Sequence, residues 1–254
     1  NAVGLSRSHV LDGVEASLSR LGVSHIDLLF THAWDEGTPL SETLGALRDL
    51  VAADKVRYVG VSNVKGWQLQ RLVSEGRAMG VPIVALQTQY SLLCRGPVEW
   101  ELQEVCEREG VALLPWSPLK GGWLTGKIKR GEEAPEGSRV RHAEETGTKL
   151  QSMPGLELGT DRVFDLLDAM RAVSDKTELS MPQLAIRWLL QQTAVSAVVI
   201  GAKSEEQLLE NAAAAFPKTA PAPDQEWVSQ LTAASEVPKP YPYEMVDRVQ
   251  AGRK

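Results

Sequence analysis

The stretch Ile-Asp-Leu-Leu-Phe-Thr-His at residues 26–32 is an apolar run followed directly by two polar residues, Thr31 and His32. The same pattern occurs four more times along the chain. The later runs end at Ser62–Asn63, Gln87, Trp116–Leu119 and Gly201–Ser204. In a parallel α/β barrel the carboxyl ends of the strands meet at one face, and active sites lie there. The five runs therefore predict an α/β fold of the (β/α)8 barrel type with its active site at the strand ends.

Helical patterns separate the apolar runs. Ser6 is a plausible N-cap, residues 6–21 have apolar side chains spaced for one buried helix face, and Gly22 ends that helix. Further helices are predicted at 40–53, 67–79, 98–109, 161–176, 182–192, 204–214 and 224–234, and strands at 26–30, 57–61, 83–87, 111–115 and 197–201. Short strands that alternate with helices predict right-handed βαβ units and a parallel sheet. The pattern predicts five strands, whereas a complete barrel of this type has eight.

Residues 119–160 interrupt this alternation. They are rich in Gly, Glu, Lys and Pro, have little apolar periodicity, and exceed the length of an ordinary connection. Two interpretations stay open for this segment, a lid or binding loop at the active-site rim and a disordered insertion. We expect one domain over residues 1–254, with 119–160 as a long cofactor and substrate loop and 235–254 as a Pro-rich tail.

Composition excludes several classes of protein. The 254 residues carry a net charge of −6, so a nucleic-acid-binding face is not predicted. The densest basic stretch, Lys-Ile-Lys-Arg at 127–130, fits a solvated loop as well as an anion-binding one. No apolar run approaches the ~18 residues that a membrane span needs. Cys94 and Cys106 cannot support a disulfide framework, which favours a reducing, cytoplasmic compartment. No metal site is predicted.

The polar clusters, in this order, resemble the aldo-keto reductase family of NADPH-dependent (β/α)8 oxidoreductases. The resemblance covers essentially the whole chain. It is closest to the branch that includes bacterial general stress reductases, aflatoxin aldehyde reductases and voltage-gated potassium channel β-subunits, which often carry Trp-Ser-Pro-Leu and Thr-Gly-Lys as residues 116–119 and 125–127 do here. The resemblance implies reduction of aldehydes or ketones to alcohols with NADP(H) as cofactor and a small carbonyl compound as substrate.

His32 matches the active-site histidine of the family. The resemblance implies that its neutral imidazole donates a hydrogen bond to the substrate carbonyl and stabilises the developing alkoxide. Considered alone, a histidine beside an apolar strand is more often a structural residue satisfied by hydrogen bonds, and this alternative stays open for His32.

The resemblance assigns the nicotinamide to strand-end residues. Ser62, Asn63 and Gln87 match the side chains that hold the carboxamide, which has both donors and an acceptor. Their alternative role is capping of strand ends. Trp116 matches the aromatic platform under the nicotinamide ring, although a tryptophan considered alone is more often part of a core.

The remaining cofactor contacts fall in loops and at one helix start. The chain has no Gly-x-Gly-x-x-Gly after a strand, so a Rossmann phosphate site is not supported. A helix N-terminus beside a lysine and a serine can hold the 2′-phosphate dianion, and Lys203 favours NADPH over NADH. For Gln207, Glu210 and Asn211 an ordinary polar helix face is the alternative. The residues that the resemblance implies are Ser117, Pro118, Leu119, Gly121 and Lys127 for the pyrophosphate, Arg139 on the adenine side, and Gly201, Lys203, Ser204, Gln207, Glu210 and Asn211 for the 2′-phosphate and adenine.

The sequence departs from the family in its catalytic set. The family's proton-donating tyrosine and the aspartate and lysine that assist it fall before the position matching Asn1, and no tyrosine of this chain fits that role. We therefore expect a barrel shortened to strands four to eight, lacking its first three βα units and impaired in catalysis on its own. A non-catalytic NADP(H)-binding accessory subunit is the alternative function, and a form that binds no cofactor is a third. Neither nucleic acid nor membrane is expected as a partner, and self-association stays open.

Overall fold

The computed structural model describes residues 3–147, 158–215 and 225–253. The chain divides into two compact units. We call the unit formed by Asn1–Thr88 and Glu101–Leu114 the sheet unit, and the unit formed by Gln89–Trp100 and Pro115–Lys254 the helical unit. Each is described by itself.

A four-stranded sheet carries most of the sheet unit. Its strands are β1 (Ile26–Thr31), β2 (Val56–Ser62), β3 (Ile83–Gln89) and β4 (Ala112–Trp116), in the order β1-β2-β3-β4. The β1–β2 and β2–β3 pairs are parallel, and Ser62 lies opposite Gln87 in the ladder. Sequential parallel neighbours require crossover connections, and helices supply them here. The predicted α/β class is confirmed, and the architecture is consistent with part of a (β/α)8 barrel.

The helices of the sheet unit bury one face each. They are α1 (Arg7–Leu21), α2 (Leu40–Ala52), α3 (Gly66–Ala78) and α4 (Gln103–Glu109). Leu44, Leu47 and Leu50 form the fully buried stripe of α2, at the i, i+3, i+6 spacing of a single helix face. α1 ends at Gly22, whose positive φ of 67° lets its N–H bond to the carbonyl of Leu18.

The long loop of the helical unit begins with tight turns over Lys120–Thr125, in which Gly121 and Gly122 have positive φ values. The helices of this unit are α5 (Arg139–Thr146), α6 (Asp161–Thr177), α7 (Met181–Leu190), α8 (Glu205–Ala213), α9 (Gln225–Ala234) and α10 (Tyr243–Gln250). The part of 119–160 that precedes residue 148 thus contains the helix α5, while 148–157 lie outside the described residues. No helix in the described ranges is both long and apolar enough to cross a membrane.

A buried ion pair fixes α9 inside the helical unit. Arg95, only 7% exposed, donates to both carboxylate oxygens of Glu99 at 2.7 and 3.0 Å. Its Nη1 also donates to the carbonyl of Thr232 at 2.6 Å and to the hydroxyl of Ser235 at 2.8 Å. The guanidinium lies 5.3 Å from the ring centroid of Trp188. One cation thereby ties α9 to the segment that follows β3.

Two local predictions differ from the structure. The predicted strand 197–201 is an isolated parallel bridge between Trp116 and Val199, in which Val199 N–H donates to the Pro115 carbonyl at 2.8 Å. An apolar run forms a strand only where a ladder continues, and among the described residues this bridge has no second pair. The predicted helix 98–109 begins as a π-helical turn, Val98–Leu102, ahead of α4.

The C-terminal tail contains a helix that the sequence did not predict. α10 starts directly after Pro242. Proline suits the first turn of a helix, because the N–H that it lacks would have no partner there. The run of prolines therefore delays the helix rather than preventing it.

Candidate active site

The carboxyl ends of three neighbouring strands bring four predicted site residues together in the sheet unit. His32 directly follows β1, Ser62 ends β2, and Gln87 pairs with Ser62 on β3. Ser62 is 2% exposed, whereas His32 and Asn63 are exposed. The structure thus brings together the residues that the strand-end pattern predicted to cluster.

Asn63 joins the ends of all three strands. Its backbone N–H donates to the Gln87 carbonyl at 3.2 Å, and its side-chain Nδ2 donates to the backbone carbonyl of His32 at 2.8 Å. The φ of Asn63 is 53°, in the left-handed region that asparagine tolerates better than most residues. This conformation breaks the strand's alternation at its end, and the side chain reaches β1's end.

Asp35 organises the loop that follows His32. Its carboxylate accepts hydrogen bonds from Leu5 N–H at 2.7 Å, Gly37 N–H at 2.8 Å and the Thr38 hydroxyl at 2.7 Å. The bond from Thr38, followed by those from Leu5 and Gly37, lowers the pKa of Asp35. A charged carboxylate is therefore the hub of this loop.

Trp34 lies in the same loop and contacts α3. Its indole meets that of Trp67 edge-on, with centroids 5.5 Å apart and planes at 64°. Such edge-to-face contacts are favoured by the ring quadrupoles. The loop is consequently held by a charged hub on one side and an aromatic pair on the other.

A cleft of about 480 Å³ lies within the helical unit. Its volume falls in the range of small-molecule and cofactor sites. Eleven predicted cofactor residues line it: Ser117, Pro118, Leu119, Gly121, Lys127, Arg139, Gly201, Lys203, Gln207, Glu210 and Asn211. Lining residues that the sequence reasoning missed are Gly122, Thr125, Ile128, Pro135, Glu136, Gly137, Ser138, Val140, Pro182, Ile200 and Ala202.

The missed residues had partial signals in the sequence. Gly121 and Gly122 have positive φ values of 66° and 108°, and Gly137 one of 70°. Consecutive glycines in a polar loop indicate such turns. Ser138 caps α5 by accepting from Arg141 N–H at 3.0 Å, and a serine ahead of a helix is a recognisable start signal. The apolar members of the lining carried no such signal.

Three cationic side chains lie around the cleft: Lys127, Arg139 and Lys203. Lys203 donates from Nζ to the carbonyl of Gly137 at 3.1 Å, which joins two segments of the lining. Two carboxylates, Glu136 and Glu210, oppose these charges. The lining thus has an excess of positive side chains, a feature suited to an anionic ligand.

The start of α8 is capped from within. Ser204 accepts at its hydroxyl from Gln207 N–H at 3.3 Å, and the Gln207 side-chain oxygen accepts from Lys203 N–H at 3.0 Å. Ser204 itself is not part of the cleft lining, and neither is Trp116, which ends β4 half-buried. The structure therefore does not bring these two predicted cofactor residues into the cleft. Ser204 instead acts as the N-cap, because its hydroxyl faces the first turn.

Both thiols are buried. Burial raises the pKa of Cys94, in the helical unit, to about 11, and that of Cys106, in the sheet unit, to about 12. Burial also lowers the pKa of Lys120, which is 4% exposed. Such thiols are poor nucleophiles and metal ligands. In the described ranges no three His, Cys, Asp or Glu residues group in a way that could hold a metal ion.

Comparison with known proteins gives one family and several relatives. The family model described as "Aldo/keto reductase family" matches residues 1–229. The chain is 34% identical over 208 residues to "L-glyceraldehyde 3-phosphate reductase" of Escherichia coli K12, covering 82% of this chain and 58% of that protein. It is also 34% identical over 216 residues to "Putative voltage-gated potassium channel subunit beta" of Schizosaccharomyces pombe, covering 83% and 60%. The chain thus spans about three fifths of these relatives.

Proposed function

Because this chain belongs to the aldo/keto reductase family, we propose that the protein reduces aldehydes or ketones to alcohols with NADPH. The observation that carries the proposal is the cationic, glycine-rich cleft of the helical unit, which is lined by residues at positions that match the family's nucleotide contacts. The similarity to an E. coli reductase of a phosphorylated aldehyde supports a carbonyl substrate.

The cleft fits the phosphates and adenosine of such a cofactor. A Cβ added at Gly122 or Gly201 would meet no atom within 4 Å, so both glycines border open space. Backbone N–H groups in glycine turns and cationic side chains are the partners that phosphate prefers. We assign the pyrophosphate to the 117–127 segment and the 2′-phosphate to Lys203. When bound, NADPH supplies the hydride.

His32 is the residue of this chain that we assign to the carbonyl. An exposed imidazole at a strand's carboxyl end can donate a hydrogen bond to the carbonyl oxygen and stabilise the charge that develops on it. Ser62, Asn63 and Gln87 remain proposed partners of the nicotinamide carboxamide. Tyr90 is fully buried and donates to Glu99 at 2.8 Å, so we do not propose it as the group that protonates the alkoxide.

A titration of NADPH and NADH, followed by quenching of the tryptophan fluorescence, tests the nucleotide site. We expect saturable binding, with Lys203→Gln weakening NADPH by about tenfold or more and NADH far less, because charge-assisted phosphate contacts are worth about 1.5–3 kcal/mol. Lys129→Gln is the matched control, since Lys129 is exposed, pairs with Glu132 and does not line the cleft. Equal losses of affinity for NADPH and NADH would contradict the assignment of the 2′-phosphate to Lys203.

A non-catalytic accessory subunit that binds NADP(H) is the second candidate, favoured by the similarity to the S. pombe protein. Both functions require nucleotide binding, so the binding experiment does not separate them. Oxidation of NADPH on addition of an aldehyde, with L-glyceraldehyde 3-phosphate among those tried, does. Binding without turnover for any aldehyde, measured on the whole protein, would favour the accessory role.

A further inference from the structure

The two peptide planes beside His32 are held by different means. The plane before it belongs to the ladder, because Thr31 pairs with Val61 at the end of the β1–β2 register. The plane after it lies beyond the last pair of that register and is held by the Asn63 side chain, whose Nδ2 donates to the His32 carbonyl at 2.8 Å. Since these two planes fix the direction of the Cα–Cβ bond, the Asn63 contact bears on where the imidazole points.

Asn63 is itself built into the sheet. Its N–H donates to the Gln87 carbonyl at 3.2 Å, which ties it to β3, and its left-handed φ of 53° takes the chain out of the strand conformation. Asparagine and aspartate are the side-chain-bearing residues that best tolerate this conformation, and of these two only asparagine has an N–H to donate to a carbonyl. Residue type and backbone conformation at position 63 therefore serve the same contact.

We propose that Asn63 is the positioning residue for His32: its amide holds the His32 carbonyl and so orients the imidazole that faces the substrate. The inference rests on the proposed function for the role of His32, and it deepens that function. An amide has two N–H donors and one acceptor, so this role is compatible with a carboxamide contact by the same side chain.

The first test needs neither cofactor nor turnover. The chain has four histidines, so the carbonyl and imidazole NMR signals of His32 can be assigned with His32→Gln. In the nucleotide-free protein, Asn63→Gly removes the amide while keeping the positive φ without strain. We expect both sets of His32 signals to shift. Unchanged His32 signals overturn the proposal.

Two further variants separate the hydrogen bond from shape and backbone effects. Asp54→Gly is the matched control, because Asp54 also has a positive φ, 54°, and lies just ahead of β2 at its other end. It should leave His32 unchanged. Asn63→Asp keeps the side-chain size but loses the N–H donor. The His32 carbonyl signal in this variant should therefore not return to its wild-type position. Its return would show that the donor is not what acts, and would overturn the proposal.

The second test is kinetic and uses the whole protein. Asn63→Gly should lower kcat by roughly 10- to 100-fold, the effect of misplacing a reacting group by about 1 Å. Loss of NADPH affinity with unmoved His32 signals would identify Asn63 as a nicotinamide ligand alone and overturn the positioning role. If the wild type binds no NADPH, the proposed function fails, while the NMR result still decides whether Asn63 orients His32.

Discussion

The sheet unit and the helical unit build their candidate site residues in opposite ways. In the sheet unit Ser62 and Gln87 pair within the ladder, and His32 directly follows the last pair of β1, so backbone pairing brings the three residues together. In the helical unit the cleft is formed by turns and helix starts, held by contacts such as Lys203 to the Gly137 carbonyl. The difference shows why strand ends can be predicted from an apolar pattern, whereas a loop-built cleft requires knowledge of particular turns.

The units also differ in what holds them together. The core of the sheet unit is largely aliphatic, with Leu44, Leu47 and Val59 fully buried. The helical unit adds a buried ion pair, Arg95–Glu99, to its core. Buried charges leave a large penalty when one partner is lost, while aliphatic cores respond mainly to changes in volume. The following substitutions probe this contrast.

Arg95→Met should have the largest effect. It leaves Glu99 without its cation and removes the Arg95 hydrogen bond to the Thr232 carbonyl. We expect a loss of about 3 kcal/mol, at the lower end for buried pairs because Glu99 keeps some solvent contact. Urea unfolding measures it. Arg108→Met is the control, since Arg108 pairs with Glu104 on the surface and should cost below about 0.5 kcal/mol.

Thiol labelling shows which of the two units is destabilised in Arg95→Met. Cys94 reports on the helical unit and Cys106 on the sheet unit, and both should resist a disulfide reagent in the native protein because they are buried. In Arg95→Met we expect Cys94 to react faster while Cys106 stays protected. Equal acceleration of both thiols would contradict the idea that the ion pair serves the helical unit alone.

Gly76→Ala should have an intermediate effect, in the sheet unit. A Cβ at this buried position of α3 would lie 2.5 Å from the Val81 carbonyl oxygen, so the backbone must shift, at a cost of about 2 kcal/mol. Gly13→Ala in α1 is the matched change, because no atom lies within 4 Å of the added Cβ and a helix gains roughly 0.5–1 kcal/mol from that replacement. Opposite signs in thermal unfolding are expected, and a neutral Gly76→Ala would count against the close packing.

Asp35→Asn should have the smallest effect and a pH dependence. Hydrogen bonds lower the pKa of Asp35 in the folded state, so its contribution to stability is present above about pH 4 and is lost as the pH falls through the folded pKa. The stability difference between wild type and variant should shrink on acidification. Thr38→Val removes the hydrogen bond that lowers the Asp35 pKa most. This variant should show part of the same trend in urea titrations at pH 7 and below 4. A stability difference that does not change with pH would contradict the role of the charged Asp35 carboxylate in holding this loop.

Much of the fold could be predicted because local signals agreed with tertiary packing. α1 with Gly22 and the four strands of the sheet lie close to their predicted positions. The strand expected at 197–201 did not form, since its ladder depends on distant pairing that an apolar run cannot reveal. α10 was missed because three prolines outweighed the amphipathic residues that follow them.

The site residues could likewise be predicted where a local pattern indicates them and not where they depend on tertiary structure. Strand-end residues were brought together as expected, but the Asn63 contact to His32 depends on a left-handed φ that no pattern indicates. In the cleft, the three cationic positions were among the predicted residues, but Glu136, Gly122 and Gly137 were not. Apolar side chains such as Ile128 and Ile200 were also missed. Those side chains resemble any core residue until the surrounding turns are known.

The Trp34–Trp67 pair gives the protein an optical property. Two indoles in edge-on contact at 5.5 Å couple their electronic transitions, and coupled transitions in a fixed, chiral arrangement produce a near-ultraviolet circular dichroism band. Trp34 lies two residues beyond His32. The amplitude of the band therefore reports the order of the loop that follows β1, and it can be read without a label.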